Sequence, residues 1–142
     1  AGRWVILLAL TSNAGAVDFQ MLPVDGGEEA LFERVLRTST GWGNSDQLMY
    51  VVGATKADML ERVRAIVPDA FLLVPGVGSQ NGSLEDVARF GLNSQCGLLV
   101  NASRSIIYAD NTEAFANAAA AEAEALRRQM AEILIKNKLI EA

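Results

Sequence analysis

The chain has 142 residues, of which 51% are hydrophobic and 20% are charged, and its formal net charge at pH 7 is −5. This length and composition are typical of one globular domain and exclude a disordered or fibrous chain. The acidic balance argues against a nucleic-acid partner, and the longest apolar run, 4–10, is far shorter than the roughly 18 residues of a membrane span. The absence of histidine excludes Ser–His triads and histidine-based metal sites within the chain.

Short apolar runs without alternation predict strands that are buried on both faces. These runs are 4–10, 48–53, 71–74 and 98–100. Amphipathic patterns between and after them predict helices, several of which begin at capping residues. The first two predicted helices are 18–21 and 28–37. The third runs from the capping box of Thr55 and Asp58 to about Val67, and the fourth from the capping box of Ser83 and Asp86 to Gly91. Asp110 and Glu113 open a long Ala-rich helix, whose apolar side is formed by Phe115, Ala119, Leu126, Met130 and Ile133.

A strand followed by a helix, repeated about four times, predicts an α/β fold with a parallel sheet. About four β/α units make half of a TIM (β/α)₈ barrel, and we assign residues 1–142 as a single segment that forms the C-terminal half, strands 5–8. An open doubly wound sheet is the alternative, but the turn after the first strand, 11–15, lacks the glycine pattern that such folds use for a dinucleotide.

The last two predicted strands end in loops suited to a phosphate group. The first loop, 76–83, is rich in glycine and carries Gln80 as a hydrogen-bond donor. The second carries Arg104, whose guanidinium matches phosphate geometry. In (β/α)₈ barrels a phosphate site is built from the loops after the last two strands and the start of a short extra helix, so these loops are interpreted as strands 7 and 8 of such a barrel. A plain turn and a surface arginine are the alternatives.

Other polar residues have weaker signals. Ser12 follows the first strand, where its hydroxyl can bind a polar ring such as a nucleobase or can satisfy the backbone of the turn. Asp18 and Asp25 are interpreted as solvated or capping, and Lys56 as exposed. The lone Cys96 starts an apolar run, which predicts a buried thiol and a reducing, cytoplasmic compartment.

Four stretches resemble orotidine 5′-phosphate decarboxylase, in particular its bacterial longer-chain subgroup. They are LLALTSNAG at 7–15, VVGAT at 51–55, LVPGVGSQ at 73–80 and NASRSIIYA at 101–109. The resemblance implies a homodimeric barrel enzyme that converts orotidine monophosphate (OMP) into uridine monophosphate (UMP) in pyrimidine synthesis, without a cofactor or a metal. It also implies that Gln80 and Arg104 grip the phosphate together with the backbone at Gly78 and Ser103, and that Ser12 and Pro75 contact the base.

The family's Asp-x-Lys-x-x-Asp stretch, which supplies the proton-donating lysine, has no counterpart here. The chain also starts without Met and almost directly on a strand, so we expect an N-terminal half with the catalytic cluster to lie outside it and the segment to be inactive alone. Removal of Met before Ala1 is the alternative explanation of that start. Alternative functions are a non-catalytic or engineered half-barrel that pairs with itself or with a missing half, and another phosphate-binding barrel such as a sugar-phosphate synthase.

Overall fold

Strands and helices alternate along the chain in the computed structural model, which describes residues 2–54, 57–78 and 82–141. The strands are β1 (Val5–Leu10), β2 (Leu48–Val52), β3 (Phe71–Pro75) and β4 (Leu98–Asn101). The helices are α1 (Ala16–Phe19), α2 (Leu31–Ser39), α3 (Met59–Ile66), α4 (Leu84–Gly91), α5 (Arg104–Ile107) and α6 (Phe115–Lys136). The predicted α/β class is confirmed.

The described strands form one parallel sheet in the order β1-β2-β3-β4. Helices connect consecutive strands, as parallel pairing requires. Because the strands run in the same direction, the loops that follow them lie at the same edge of the sheet, which we call the carboxyl edge. This sheet and its helices match half of a barrel, as predicted.

One face of the sheet packs against the helices and forms the core. Tyr50 and Leu72 are fully buried on this face, beside Leu36 of α2 and Leu60 and Val63 of α3. The Tyr50 hydroxyl lies 2.9 Å from the Ser39 hydroxyl, which also donates to the carbonyl of Leu36. This pairing satisfies polar atoms that would be costly to bury without partners.

The opposite face, which we call the open face, is apolar and partly exposed. Strand register assigns it Ile6, Leu8, Met49, Val51, Phe71, Leu73 and Leu99. Leu8 is 59% exposed and Leu99 is 52% exposed. The prediction that every strand is buried on both faces is therefore wrong, because the described helices pack against the other face. A run of apolar residues does not reveal whether its second face is covered within the same chain.

Helices α2 and α6 begin later than predicted, because the residues before them form hydrogen-bonded loops. Helix α2 begins at Leu31, because 23–30 folds as a loop in which the N–H of Val24 donates to the carbonyl of Glu29 over 2.8 Å. Helix α6 begins at Phe115, because the Asp110 carboxylate accepts from the N–H and hydroxyl of Thr112 in a preceding turn. These bonds lower the pKa of Asp110, the backbone bond most strongly.

The remaining predictions about caps, helix faces and burial have mixed outcomes. The Ser83 cap of α4 is confirmed, since its hydroxyl accepts from the N–H of Asp86 over 3.1 Å. Thr55, the predicted cap of α3, and Lys56 lie outside the described residues. Phe115, predicted on the apolar side of α6, is 59% exposed, whereas Leu126, Met130 and Ile133 pack against the core as predicted. Cys96 is half-buried rather than buried, because a tight turn with φ of +70° holds it beside the core.

Arg64 joins several elements at the edge of the sheet opposite the carboxyl edge. Its guanidinium donates to the carbonyls of Ala70 at 2.6 Å, Gly91 at 2.7 Å and Gly97 at 2.8 Å, and more weakly to two carbonyls at the end of α3. Burial lowers the pKa of Arg64 to about 10, because desolvation disfavours the charged form, yet the group stays protonated at neutral pH. Arg64 thus ties α3 and α4 to the starts of β3 and β4.

We expect Arg64→Met to lower the free energy of unfolding by about 3 kcal/mol, because it removes several hydrogen bonds to partly buried carbonyls at once. Urea unfolding followed by circular dichroism measures this loss. The control is Arg128→Met, which removes an exposed ion pair with Glu124 and is expected to cost less than about 0.5 kcal/mol. Equal losses in the two variants would contradict the structural role of Arg64.

Candidate functional site

The candidate site lies along the carboxyl edge, where the loops after the strands come together. The loop after β3 is brought beside α5 by the pairing of β3 with β4, in which Pro75 lies opposite Asn101. A Cβ atom built on Gly78 would lie 3.6 Å from the Ser105 hydroxyl, in ordinary van der Waals contact. The two loops predicted to form a phosphate site are therefore adjacent.

Backbone conformation explains the glycines of the loop after β3. Gly76 has φ of +94° and Gly78 has φ of +82°, a region that residues with a side chain rarely adopt. The loop folds back on itself, and the N–H of Gly78 donates to the carbonyl of Gly82 over 3.1 Å. Residues 79–81, including the predicted phosphate ligand Gln80, lie outside the described residues.

The loop after β4 leads directly into the short helix α5. Ser103 is the residue before this helix, and Arg104 is its first residue. The hydroxyl of Ser103 donates to the side-chain oxygen of Asn101 over 3.2 Å, which holds the turn closed. The first turn of any helix leaves backbone N–H groups without acceptors inside the helix. The pattern analysis did not predict α5 as an element, because four residues are too few to show helical periodicity.

A pocket of about 150 Å³ lies between the two loops. Its lining residues are Pro75, Gly76, Val77, Asn101, Ala102, Ser103 and Arg104. It therefore brings together Pro75, Ser103 and Arg104, three of the residues that sequence analysis selected. Larger pockets exist elsewhere in the structure, but this one lies where parallel sheets with helical connections bind their ligands.

Arg104 supplies the positive charge of this pocket. Its side chain is exposed, and within residues 2–54, 57–78 and 82–141 it forms no ion pair. An uncompensated guanidinium beside the start of a helix is suited to an anionic group with several oxygen atoms. The arrangement can thus bind an anion, while the described part of the chain contains no cluster of three or more metal-ligating side chains.

Ser12 lies at the far end of the same edge, after β1. It packs against Gly53, which follows β2, so closely that a Cβ atom on Gly53 would overlap the Ser12 hydroxyl. Three strand spacings separate β1 from β4, a distance of at most about 14 Å. A ligand that contacts both Ser12 and Arg104 must extend across the edge, as an elongated nucleotide does.

Two polar residues near the site were missed by the sequence analysis. Asn101 lines the pocket from the last position of β4. Gln20 follows α1 and binds the loop that contains Ser12. A polar residue at the end of an apolar run signalled Asn101, whereas nothing in the local pattern of Gln20 indicates the residue it binds nine positions earlier.

Comparison with known proteins gives the same assignment as the motifs. The chain is 66% identical over 140 residues to an orotidine 5′-phosphate decarboxylase of Porphyromonas gingivalis, covering 99% of this chain and 50% of that protein. It is 59% identical over 133 residues to one of Bacteroides fragilis, covering 94% of this chain and 48% of the relative. The chain spans about half the length of the curated relatives it matches. No family model matches it.

Solved structures agree with the sequence relatives. The structure of Leishmania donovani OMP decarboxylase superimposes with a TM-score of 0.75 at 35% identity, covering 92% of this chain and 47% of that one. The Leishmania donovani UMP synthase structure gives a TM-score of 0.75 at 37% identity, covering 93% and 27% of the two chains. No helix in the described ranges is long and apolar enough to cross a membrane. In sequence and in fold, the chain corresponds to the C-terminal half of orotidine 5′-phosphate decarboxylase.

Proposed function

We propose that this chain supplies the phosphate- and base-binding half of an orotidine 5′-phosphate decarboxylase, which converts OMP into UMP and carbon dioxide. The observation that carries the proposal is the pocket that Pro75, Ser103 and Arg104 share at the carboxyl edge. Residues 75–77 and 101–104, which belong to two of the motifs that resemble the family, line that pocket. Relatives of that name cover nearly the whole chain.

In this proposal the phosphate of the nucleotide binds between the two loops. Arg104 donates charge-assisted hydrogen bonds to the phosphate oxygens, and backbone groups at Gly78, Ser103 and Arg104 provide further donors. Gln80 reaches the same phosphate from the loop after β3. Binding energy from this non-reacting group holds the rest of the substrate in place, which is how a remote phosphate contributes to catalysis.

The base lies toward the other end of the edge. Pro75 provides an apolar wall at the end of β3, and the Ser12 hydroxyl offers a hydrogen bond to the pyrimidine. The order phosphate, ribose, base thus runs from β4 toward β1. In the proposal no metal or cofactor takes part, and no residue of this chain transfers a proton in the reaction.

The catalytic residues belong to the half of the barrel that this chain does not contain. Strands of that half, in a longer chain or in a separate one, cover the open face, and the completed barrel forms a homodimer in the cytoplasm. The family's lysine motif is absent from the sequence, so the segment is expected to be inactive alone.

A non-catalytic half-barrel is the second candidate function. The exposure of Leu8 and Leu99 on the open face favours it, because apolar faces of this kind are normally covered by another surface. Such a protein would associate with a second copy and retain at most nucleotide binding. The sugar-phosphate alternative predicts instead that ribulose phosphates stabilise the chain more than UMP does.

The decarboxylase proposal is tested by a fusion of the N-terminal half of the Porphyromonas gingivalis relative to this chain. We expect the fusion to form UMP from OMP, while this chain alone forms none. Ultraviolet absorbance measures the conversion, and the intact mass of each sample shows which segments it contains. The relative's own full-length protein is the control. A folded fusion without turnover would contradict the proposal, and turnover by the chain alone would contradict its expected inactivity.

The phosphate assignment is tested by Arg104→Ala in this chain. We expect the affinity for UMP to fall about fiftyfold, because a charge-assisted hydrogen bond contributes about 2–3 kcal/mol. The affinity for uridine, which has no phosphate, should not change. NMR titration measures both dissociation constants, with the exposed Arg89→Ala on α4 as the matched control. Equal losses for UMP and uridine, or no loss for UMP, would show that Arg104 does not bind the phosphate.

A further inference from the structure

Gln20 holds the loop that follows β1 through its side-chain amide. Its Oε1 atom accepts a hydrogen bond from the backbone N–H of Thr11 over 2.7 Å, and its Nε2 atom donates to the Thr11 hydroxyl over 3.1 Å. Thr11 thus binds both the oxygen and the nitrogen of the Gln20 side-chain amide. Thr11 immediately precedes Ser12, so the pair of bonds fixes the point at which the chain leaves the strand.

Gln20 is itself anchored to the folded core. Its backbone carbonyl accepts from the N–H of Phe32 over 2.9 Å, and Phe32 is a buried residue of α2. The side chain therefore connects a fixed helix to the loop at the carboxyl edge. The loop after β3, by contrast, is closed by its own backbone.

Ser12 is also confined from the opposite side. Gly53 contacts it so closely that any side chain at position 53 would displace the hydroxyl. The N–H of Gly53 donates to the carbonyl of Leu10 over 2.8 Å, which holds the ends of β1 and β2 together. Ser12 thus lies between a strand end that leaves no extra space and a loop segment that Gln20 fixes.

We propose that Gln20 is a positioning residue that sets the Ser12 hydroxyl for recognition of the pyrimidine base. The inference rests on the proposed function, which places the base beside Ser12. Hydrogen bonds between two oxygen atoms are usually about 2.5–3.0 Å long and weaken as the atoms move apart. A loop that shifts by a fraction of that length loses the contact, while the phosphate site near β4 keeps its geometry.

The experiment compares nucleotide binding with and without the base. NMR titrations of this chain with UMP and with ribose 5-phosphate give two dissociation constants. The constant for ribose 5-phosphate divided by the constant for UMP measures what the base contributes to affinity. We expect Gln20→Leu and Ser12→Ala each to lower that ratio about fivefold, the loss of one ordinary hydrogen bond. Ribose 5-phosphate should bind all variants equally.

A double-mutant cycle separates positioning from general destabilisation. If Gln20 acts through Ser12, adding Gln20→Leu to Ser12→Ala lowers the ratio no further. A merely structural role would give additive losses and would weaken ribose 5-phosphate as well. Gln20→Glu tests rescue, because its carboxylate still accepts from the Thr11 N–H and can accept from the Thr11 hydroxyl. This variant should stay within about twofold of the unsubstituted chain.

Two further variants complete the test. Gln95→Leu is the matched control, since Gln95 is exposed in the turn before β4 at the opposite edge of the sheet. Gln20→Asn shortens the amide by one methylene and replaces Gln20→Leu if that variant does not fold. An unchanged ratio in Gln20→Leu or Gln20→Asn, with a lowered ratio in Ser12→Ala, would overturn the inference and leave the proposed function standing. If the unsubstituted chain binds UMP no better than ribose 5-phosphate, both the role of Gln20 and the proposed function are overturned.

Discussion

Parallel pairing in chain order is the constraint on which the candidate site depends. It places every loop that follows a strand at the carboxyl edge, although Ser12 and Arg104 are far apart in the sequence. Pairing of Pro75 with Asn101 then sets the spacing between the loop after β3 and the start of α5. A shift of that register would separate the walls of the pocket. The binding geometry is therefore a property of the sheet, and the loops contribute the chemical groups.

The edge of the sheet opposite the carboxyl edge contributes to the stability of the fold. Arg64 connects helix ends and strand starts there by donating to the carbonyls of Ala70, Gly91 and Gly97. A guanidinium suits this role, because its five N–H groups point in fixed directions within one plane. The Arg64 contacts thus lie at one edge and the candidate ligand-binding groups at the other. This division lets the loops of the carboxyl edge be selected for binding rather than for stability.

Much of this fold could be predicted from the sequence, because strands and helices in such a chain have distinct patterns. The strand positions and the Ser83 cap depend on local residues and agree with the structure. The failures share a physical cause: they depend on contacts that hydrophobic periodicity does not show. The exposure of Leu8 depends on whether another surface covers it, and the role of Gln20 depends on a loop nine residues earlier. The start of α6 was misplaced because the Asp110 side chain bound Thr112 within a turn.

Part of the candidate site could be selected from the sequence for a related reason. Glycine at positive φ and an arginine after a strand are local signals, so Gly78 and Arg104 could be selected without the structure. Their mutual proximity needed only the assumption of a parallel sheet. Ser12 was selected on its position after β1, but the residues that hold it, Gln20 and Gly53, come from separate elements. Candidate ligand-binding residues are thus easier to select from the sequence than the residues that hold them in place.

The open face of the sheet and the proposed nucleotide site at the carboxyl edge are formed by the same strands, so covering one is expected to affect the other. Fully burying a leucine or isoleucine side chain contributes roughly 1.5–3 kcal/mol, so covering half-exposed residues such as Ile6, Leu8 and Leu99 is favourable. The loops that carry Ser12 and Arg104 emerge from these same strands. Under the proposed function, a surface that covers the face would restrict the strands and reduce the ordering that a nucleotide must impose. By linkage, the nucleotide then strengthens attachment of the covering surface by the same factor. Nucleotide affinity and completion of the barrel are therefore expected to rise together.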